Sequence, residues 1–591
     1  MSRNAEVAAR FEEMADLLEA QDVEYKPRSY RRAAENVRDC PVAIEELVEE
    51  GKDAVRDIDG VGDALADKIV EYVETGEIEE LEALRDELPV DMAALTSVEG
   101  VGPKTVGTLY EALDITTLDE LEAAARDGEI RAVSGFGAKT ESNILENIPF
   151  ARQAQERELL GDARPVAEDL LDYLRGAEPV DRAEIAGSLR RWRETIGDVD
   201  VLVASPDGET AVDAFLDWAA VDERIESGAT KASVRARDMR IDCRVVVPEE
   251  FGSALQYFTG SKDHNVHLRN LAIDRDLKMN EYGVFDVSDV SEAGLEADDE
   301  GERDGQRTGR RIGGETEAEM YAALDLPLVP PELREDRGEI EAAQDGELPD
   351  LVVEGDVCGD LHTHTDWSDG GEPIETMIEA AAERGDDYLA ITDHATGPGM
   401  VGGVGLDDDE LREQSEAVAA AADDAEIEVF HGVEANIDGS GDLSVSDDLL
   451  PDLDIVIASP HSGLDADRAT ATERLVAAVE HPETDVLGHP TGRLINDRPG
   501  LSPDMDRLVA AAADAGTALE INANPHRLDL NDEAVRAAVE AGATIVIDTD
   551  AHGIGELDFR RYGVHTARRG WAETADVLNA RSVADLRSWL W

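Results

Sequence analysis

In the C-terminal part of the chain, short apolar runs repeatedly end in a histidine or a carboxylate. His362 and His364 stand two apart in GDLHTH, so a strand would send both side chains to one face. Asp369 follows in WSDGG, His394 ends YLAITDH, Glu434 sits in VFHGVEAN, His461 ends DIVIASPH, His489 sits in DVLGHP, and Asp550 and His552 share TIVIDTDAH. Any one of these reads as a hydrogen-bonded strand-end residue, but nine at equivalent places read as metal ligands. Imidazole mixed with carboxylate, without thiolate, suits Mn²⁺, Zn²⁺ or Fe²⁺ better than Ca²⁺ or a structural zinc. Nine ligands suffice for up to three ions. Such a cluster with open positions suits phosphoester hydrolysis, because the ions bring a water's pKa near neutrality and neutralise phosphoryl oxygens.

A second constellation lies in AGSLRRWRETIGDVDVLV, from Ala186. Gly187 and Ser188 follow an apolar run, then come Arg190 and Arg191, and then Gly197, Asp198 and Asp200 open a strand. The order suits a triphosphate held beside paired carboxylates. Asp198 and Asp200 share a face, and Asp242 in RIDCRVVV can join them from a neighbouring strand. Three such carboxylates can hold two Mg²⁺ or Mn²⁺ ions for an in-line displacement. In a chain this acidic a lone D-x-D means little, but G-S-x-R-R followed by G-D-x-D is informative.

These side chains need scaffolds, and three are legible. The runs after Asp356 alternate with Ala-rich helices in seven βα units, which predicts a distorted (β/α)7 barrel with its ligands at the strand C-termini. From about Ala151 to Asp286, helices alternate with β-branched runs, as in an α/β catalytic domain. Before that the text is helical. It is punctuated by IDGVGDALADKI, VEGVGPKTVGTL and VSGFGAKTESNI, each a helix-hairpin-helix signature. The paired glycines Gly60 and Gly62, Gly100 and Gly102, and Gly135 and Gly137 make tight turns whose N–H groups can face DNA phosphates. Residues from Asp289 to Gly314 read as a solvated insertion loop, and the acidic stretch from Glu339 to Pro349 as a linker. The expected domains are 1–87 and 88–150 (helical), 151–335 (α/β catalytic), 336–356 (linker) and 357–591 (barrel).

The chain is 591 residues long, which excludes a lone small binding module. Its 54 basic against 136 acidic residues leave a formal charge of -82, but recurring apolar periodicity argues against disorder. Only eight of the basic residues are lysines, with none after Lys278, which fits a halophile whose molar salt shortens the Debye length to about 3 Å. Cys40, Cys243 and Cys358 lack any C-x-x-C spacing, so a reducing cytoplasm is expected. No run is long enough for a membrane span, and the amphipathic N-terminus is unlike a signal peptide.

The histidine series resembles the PHP (polymerase and histidinol phosphatase) family over roughly Cys358 to Trp591. The central part resembles the X family of DNA polymerases, which implies a polymerase-beta-like nucleotidyltransferase palm with thumb over 151–335, and YFTGSKDHNVHLR from Tyr257 looks like that family's nucleotide-binding block. The resemblance implies that Ser188, Arg191 and Gly197, with Gly187, face the triphosphate. Tyr257, Phe258 and Gly260 form a sugar-discriminating turn, Asn265 meets the incoming nucleotide, Arg269 braces the nascent pair, and Arg240 orients the carboxylates. Lys262 departs from the polymerase-beta pattern, which carries an Asp at that position. Lys68, with Lys26 and Tyr30, matches the region that forms a Schiff base with a 5′-deoxyribose phosphate, although Ala64 replaces an assisting lysine.

Together the two likenesses imply a gap-filling repair polymerase of bacterial or archaeal type, with a haloarchaeal source expected. Its substrates would be gapped or primer-template DNA and deoxynucleoside triphosphates, and it would be a cytoplasmic monomer. Its PHP domain, binding Mn²⁺ or Zn²⁺, would act as 3′-5′ exonuclease, abasic-site endonuclease or 3′-phosphatase. His431, His481, His526 and His565 fall outside the ligand positions and read as residues near the metal ligands or on the surface, although His526 and Arg527 could contact a substrate phosphate. Two other readings compete: a phosphoesterase for small monoesters with a DNA-docking N-terminal half, and a non-catalytic DNA scaffold. Intact Asp198, Asp200 and Asp242 argue against the first, and two complete metal constellations against the second.

Overall fold

The computed structural model describes the chain apart from residues 1–2, 22, 24–25, 39–43, 45–46, 49–50, 57, 59, 77, 99, 156, 291–306 and 399–403. Cys40 and most of the expected insertion loop lie outside the described residues. The chain divides into two units, Met1–Arg157 with Asn496–Pro499, and Glu158–Ile495 with Gly500–Trp591.

The first unit is helical around an apolar core that includes Phe11, Met14, Ile69, Leu95, Leu109 and Ile144. The three hairpins are built alike. Val61, Val101 and Phe136 donate their N–H groups to the carbonyls of Ile58, Val98 and Val133, and Gly60, Gly100 and Gly135 turn with φ of +73°, +83° and +97°. That region is open to glycine and costly for other residues. Helices begin directly after, at Asp63, Pro103 and Ala138. All six hairpin glycines are exposed.

The second unit opens with β1 (Glu158–Leu159), β2 (Arg182–Ile185), β3 (Thr195–Ile196), β4 (Val199–Ala204), β5 (Glu223–Ser227), β6 (Lys231–Ala236) and β7 (Met239–Val246). Five of these form the palm sheet in the order β2-β4-β7-β6-β5, in which β4 and β7 run parallel. A thumb follows, with β8 (Leu277–Asn280), β9 (Gly283–Asp286) and β10 (Arg310–Gly313) in an antiparallel sheet. The stretch read as a linker departs from expectation. It carries a helix, Glu339–Asp345, whose Ile340 and Ala343 join the thumb core and whose Glu339 is buried against His264, the ring of which meets Tyr321 on its other side. Acidic composition suggested solvent, but two apolar residues three apart on a helix face suffice to dock it.

The barrel strands are β11 (Gly359–Asp360), β12 (Tyr388–Ile391), β13 (Glu428–Asn436), β14 (Ile455–Ser459), β15 (Val486–Leu487), β16 (Ala518–Asn522) and β17 (Ile545–Asp548). They pair in sequence order, all parallel, and a parallel bridge between Thr363 and Ala551 brings the two ends of the sheet together. The near-continuous apolar strands are buried on both faces, as parallel sheets covered by helices must be. The seven predicted strands are all present, and each is followed by an α-helix except β13, after which the chain makes only a short 3-10 turn at Leu450–Asp452 before β14. Among the described residues, no helix is long and apolar enough to cross a membrane.

Candidate active sites

In the palm, the parallel register sets Asp200 opposite Asp242, and Asp198 immediately precedes β4. One ligand atom from each of the three falls within 4.8 Å of the others, a geometry that fits divalent ions. Burial, then Asp198 and Asp242, push the Asp200 carboxyl up to about 7, and Arg191 and Arg244 pull against that shift. Arg240 grips Asp242 through two bonds of 3.1 and 3.2 Å. Gly187 is essential to the packing: its φ is +61°, and a Cβ there would lie 2.2 Å from Asp200 Oδ2. A cavity of about 230 Å³ opens beside the carboxylates, lined in part by Lys231, Arg244 and Phe258.

The other predicted palm residues surround this cleft in different states. Gly197 is exposed beside Asp198, and the Ser188 carbonyl accepts from the Arg193 N–H at 3.1 Å. Tyr257 and Phe258 pack edge to face at 5.2 Å before Gly260. Asn265 is buried; its amide accepts from Gln256 at 2.6 Å and donates to the Tyr257 carbonyl at 2.7 Å, so it braces the turn. Arg269 is exposed, one turn further along the same helix, as is Lys262 at its start. Arg191 is largely enclosed, donating to the Thr259 carbonyl and, at 3.1 Å, to Glu335. Trp192 follows in a left-handed conformation, φ +54°, rare for a bulky residue, with its indole held between Arg164 and His565. His565, expected near the metal ligands or on the surface, thus sits where the barrel meets the palm.

In the helical unit, the Lys68 amine is 2.8 Å from Glu80, and Lys26 reaches the same carboxylate at 3.3 Å. The Lys68 bond is the main reason the Glu80 pKa is lowered. Tyr30 is buried.

The nine barrel residues converge at the C-terminal ends of the strands. Glu434 is central: His394 Nδ1 at 2.6 Å and His362 and His364 at 3.5 and 3.6 Å approach one oxygen. His489 at 2.8 Å and His461 at 3.2 Å approach the other. Asp550 lies 3.0 Å from His364, and Asp369 lies 3.4 Å from both His394 and His552. Burial opposes charge on Glu434, but His394, His461 and His362 overcome it and hold the carboxyl well below its usual range. Burial likewise opposes protonation of His394, yet Glu434 beside it raises that ring to about 10. Burial and the rings of His552 and His394 push His364 down to about 3.

Buried polar atoms that crowd one another without a well-directed hydrogen bond are concentrated here: His362 Nε2, both His364 nitrogens, His394 Nδ1, Glu434 Oε2, His489 Nδ1 and Asp550 Oδ1. Unsatisfied lone pairs this dense and this buried fit cations, and three groups of these residues bring ligand atoms within 4.8 Å of one another. Sequence reasoning missed Glu520, which lies 2.6 Å from His362 Nδ1 and also accepts from the His489 N–H. Its only signal was a lone carboxylate inside the buried strand ALEIN. It also missed Asn436, 2.7 Å from His461 Nδ1. Arg527 lies 3.9 Å from Asp550, at the edge of the cluster.

Comparison with known proteins matches a helix-hairpin-helix domain at residues 2–78, a SAM-like helix-hairpin-helix tandem at 92–148, a DNA polymerase beta thumb at 254–335 and a PHP domain at 360–524. The chain is 35% identical over 575 residues, 96% of each chain, to DNA polymerase/3′-5′ exonuclease PolX of Bacillus subtilis (strain 168). It is 27% identical to DNA polymerase lambda of Rattus norvegicus over 38% of this chain and 40% of that one. It is 35% identical to a protein named probable phosphatase of Caldanaerobacter subterraneus over 28% of this chain and 61% of that one.

Proposed function

The chain belongs to the PolX family of DNA polymerase/3′-5′ exonucleases, and on that premise we propose how its residues divide the two activities. Asp198, Asp200 and Asp242 carry nucleotide addition, and the nine barrel residues carry 3′-5′ trimming. The observation that carries the first assignment is the register pairing Asp200 with Asp242 across β4 and β7. When bound, divalent ions at each cluster supply neutralisation of phosphoryl charge and acidify the attacking hydroxyl or water.

The chain's own residues do the rest. Arg240 fixes the Asp242 carboxylate, and Gly187 leaves room for that of Asp200. Arg191, with Ser188 and Gly197, meets the triphosphate; Asn265 holds the Tyr257–Phe258 turn against the sugar. Arg269 braces the nascent pair. In the barrel, Glu520 holds the His362 ring and Asn436 that of His461, so each presents its Nε2 toward Glu434. The exposed hairpin glycines offer N–H groups to DNA phosphates.

The finer assignments form part of the same reading. Mg²⁺ or Mn²⁺ serves the palm, and up to three Mn²⁺ or Zn²⁺ ions serve the barrel. The domain limits are those drawn from the sequence, with 336–356 attached to the thumb. The protein is a cytoplasmic monomer of a haloarchaeal host. Lys68 acts as a deoxyribose phosphate lyase nucleophile only after leaving its pairing with Glu80.

The test is primer extension and 3′-end trimming on gapped DNA in molar KCl, with Mg²⁺ and with Mn²⁺. Both activities are expected from one preparation. Hydrolysis of small phosphate monoesters without either DNA activity would support the docking-module alternative.

A further inference from the structure

The Arg191 guanidinium, which the polymerase reading places against the triphosphate, is held in place partly by the other catalytic domain. Arg569 ends the barrel helix Arg560–Arg569 and is buried. One of its nitrogens donates to the Arg191 carbonyl at 2.6 Å and to Glu335 at 3.1 Å; the other donates to Asp532 at 2.6 Å. Glu335 in turn accepts from Arg191 Nε at 3.1 Å. An unbroken chain of charge-assisted bonds therefore runs from Asp532 and Arg569 in the barrel, through Glu335 at the end of the thumb, to the loop beside Asp200.

The next residue of that loop is tied down from the same side. The His565 ring stacks on Trp192 with centroids 3.5 Å apart and planes 7° apart, and His565 is itself fixed by Glu332 at 2.8 Å. Trp192 has a backbone conformation that L residues rarely adopt, so these partners hold a loop that would otherwise relax. Neither Arg569 nor His565 touches the barrel's ligand cluster, and the trimming chemistry gives them no task.

We propose that Arg569, with Glu335 and His565, is a positioning residue for nucleotide addition: the PHP domain holds the Arg191–Trp192 loop in the shape that receives the triphosphate. The proposal rests on the polymerase reading above. One guanidinium nitrogen fixes the Arg191 backbone and, through Glu335, its side chain, while the other anchors the group to Asp532. A lysine's single ammonium could meet the carbonyl and Glu335, but not Asp532 as well.

The test uses the full chain on single-nucleotide-gap DNA in molar KCl. Arg569→Ala should raise KM for the nucleotide about tenfold, the scale of one lost charge-assisted hydrogen bond, with kcat and 3′-end trimming changed by less than about twofold. Arg569→Lys should recover part of the KM. Glu335→Gln, which alters no barrel residue, should raise KM in the same direction, and the double variant should show less than the product of the two effects. Parental KM in Glu335→Gln overturns the link whatever becomes of Arg569→Ala. So does a parallel fall of kcat, trimming and melting temperature in both variants, the signature of a purely structural contact. If the parent enzyme incorporates no nucleotide, the polymerase reading fails first and the proposal with it.

Discussion

Gly187→Ala tests the palm site through a single methyl group. The new Cβ would stand 2.2 Å from Asp200 Oδ2 and 3.1 Å from its Cγ, where ordinary contacts exceed about 3.4 Å. Asp200 is the end of a short side chain, so its carboxylate yields by rotating about 1 Å away from the Asp198–Asp242 face. Alanine at φ +61° adds about 1 kcal/mol of backbone strain, too little to unfold the unit. A misplacement of about 1 Å at a reacting centre costs about 10²-fold, or about 2.7 kcal/mol of barrier. The assay is single-turnover addition of one nucleotide to a gapped primer, with 3′-end trimming measured on the same preparation. Addition should fall by about two orders of magnitude, while trimming stays within about twofold. Addition at the parental rate in a folded variant would refute the argument that Gly187 exists to seat Asp200.

Asp200→Ala should abolish addition and spare trimming, and His362→Ala should do the reverse; equal loss of both activities in either variant, with melting unchanged, would reject two independent sites. Borohydride should trap the parent on a 5′-deoxyribose phosphate end, and Lys68→Ala should remove the adduct, whereas an adduct persisting in the variant assigns the chemistry to another amine. Gap filling should rise from dilute to molar KCl before falling, because a chain of charge -82 must first be screened, while its phosphate contacts weaken with a slope of about -0.9 per neutralised phosphate; a monotonic fall with the fold intact by circular dichroism would overturn this. Burial lowers His431 to about 4, so its neutral ring contributes stability above the free value of about 6.5 that is lost as pH falls toward 4. The loss is on the order of 3 kcal/mol at most. His431→Gln should flatten that acid limb in denaturant titrations, and an unchanged limb would show that other groups govern it.

Much of both sites was legible in the sequence because their logic is local. His362 and His364, or Asp198 and Asp200, share a face through the strand period alone. Three glycine pairs define the hairpin turns because left-handed backbone has few tenants. Seven apolar runs, six of them ending at or near a ligand type, define seven strands whose C-termini gather at one end of the barrel. What spacing could not convey was which residues meet across the fold. Glu434 is the hub and Glu520 its hidden support only because β13 and β16 both point inward from the barrel wall toward His362. The linker reading failed at Glu339 because composition counts charges, whereas burial against His264 depends on the thumb's three-dimensional surface. The junction of Arg191, Glu335 and Arg569 joins residues 144 and 234 positions apart, and no periodicity reaches that far. Local patterns select residue types and faces, but only packing decides which buried charges find each other, because each must be paid for by a partner brought from elsewhere in the chain.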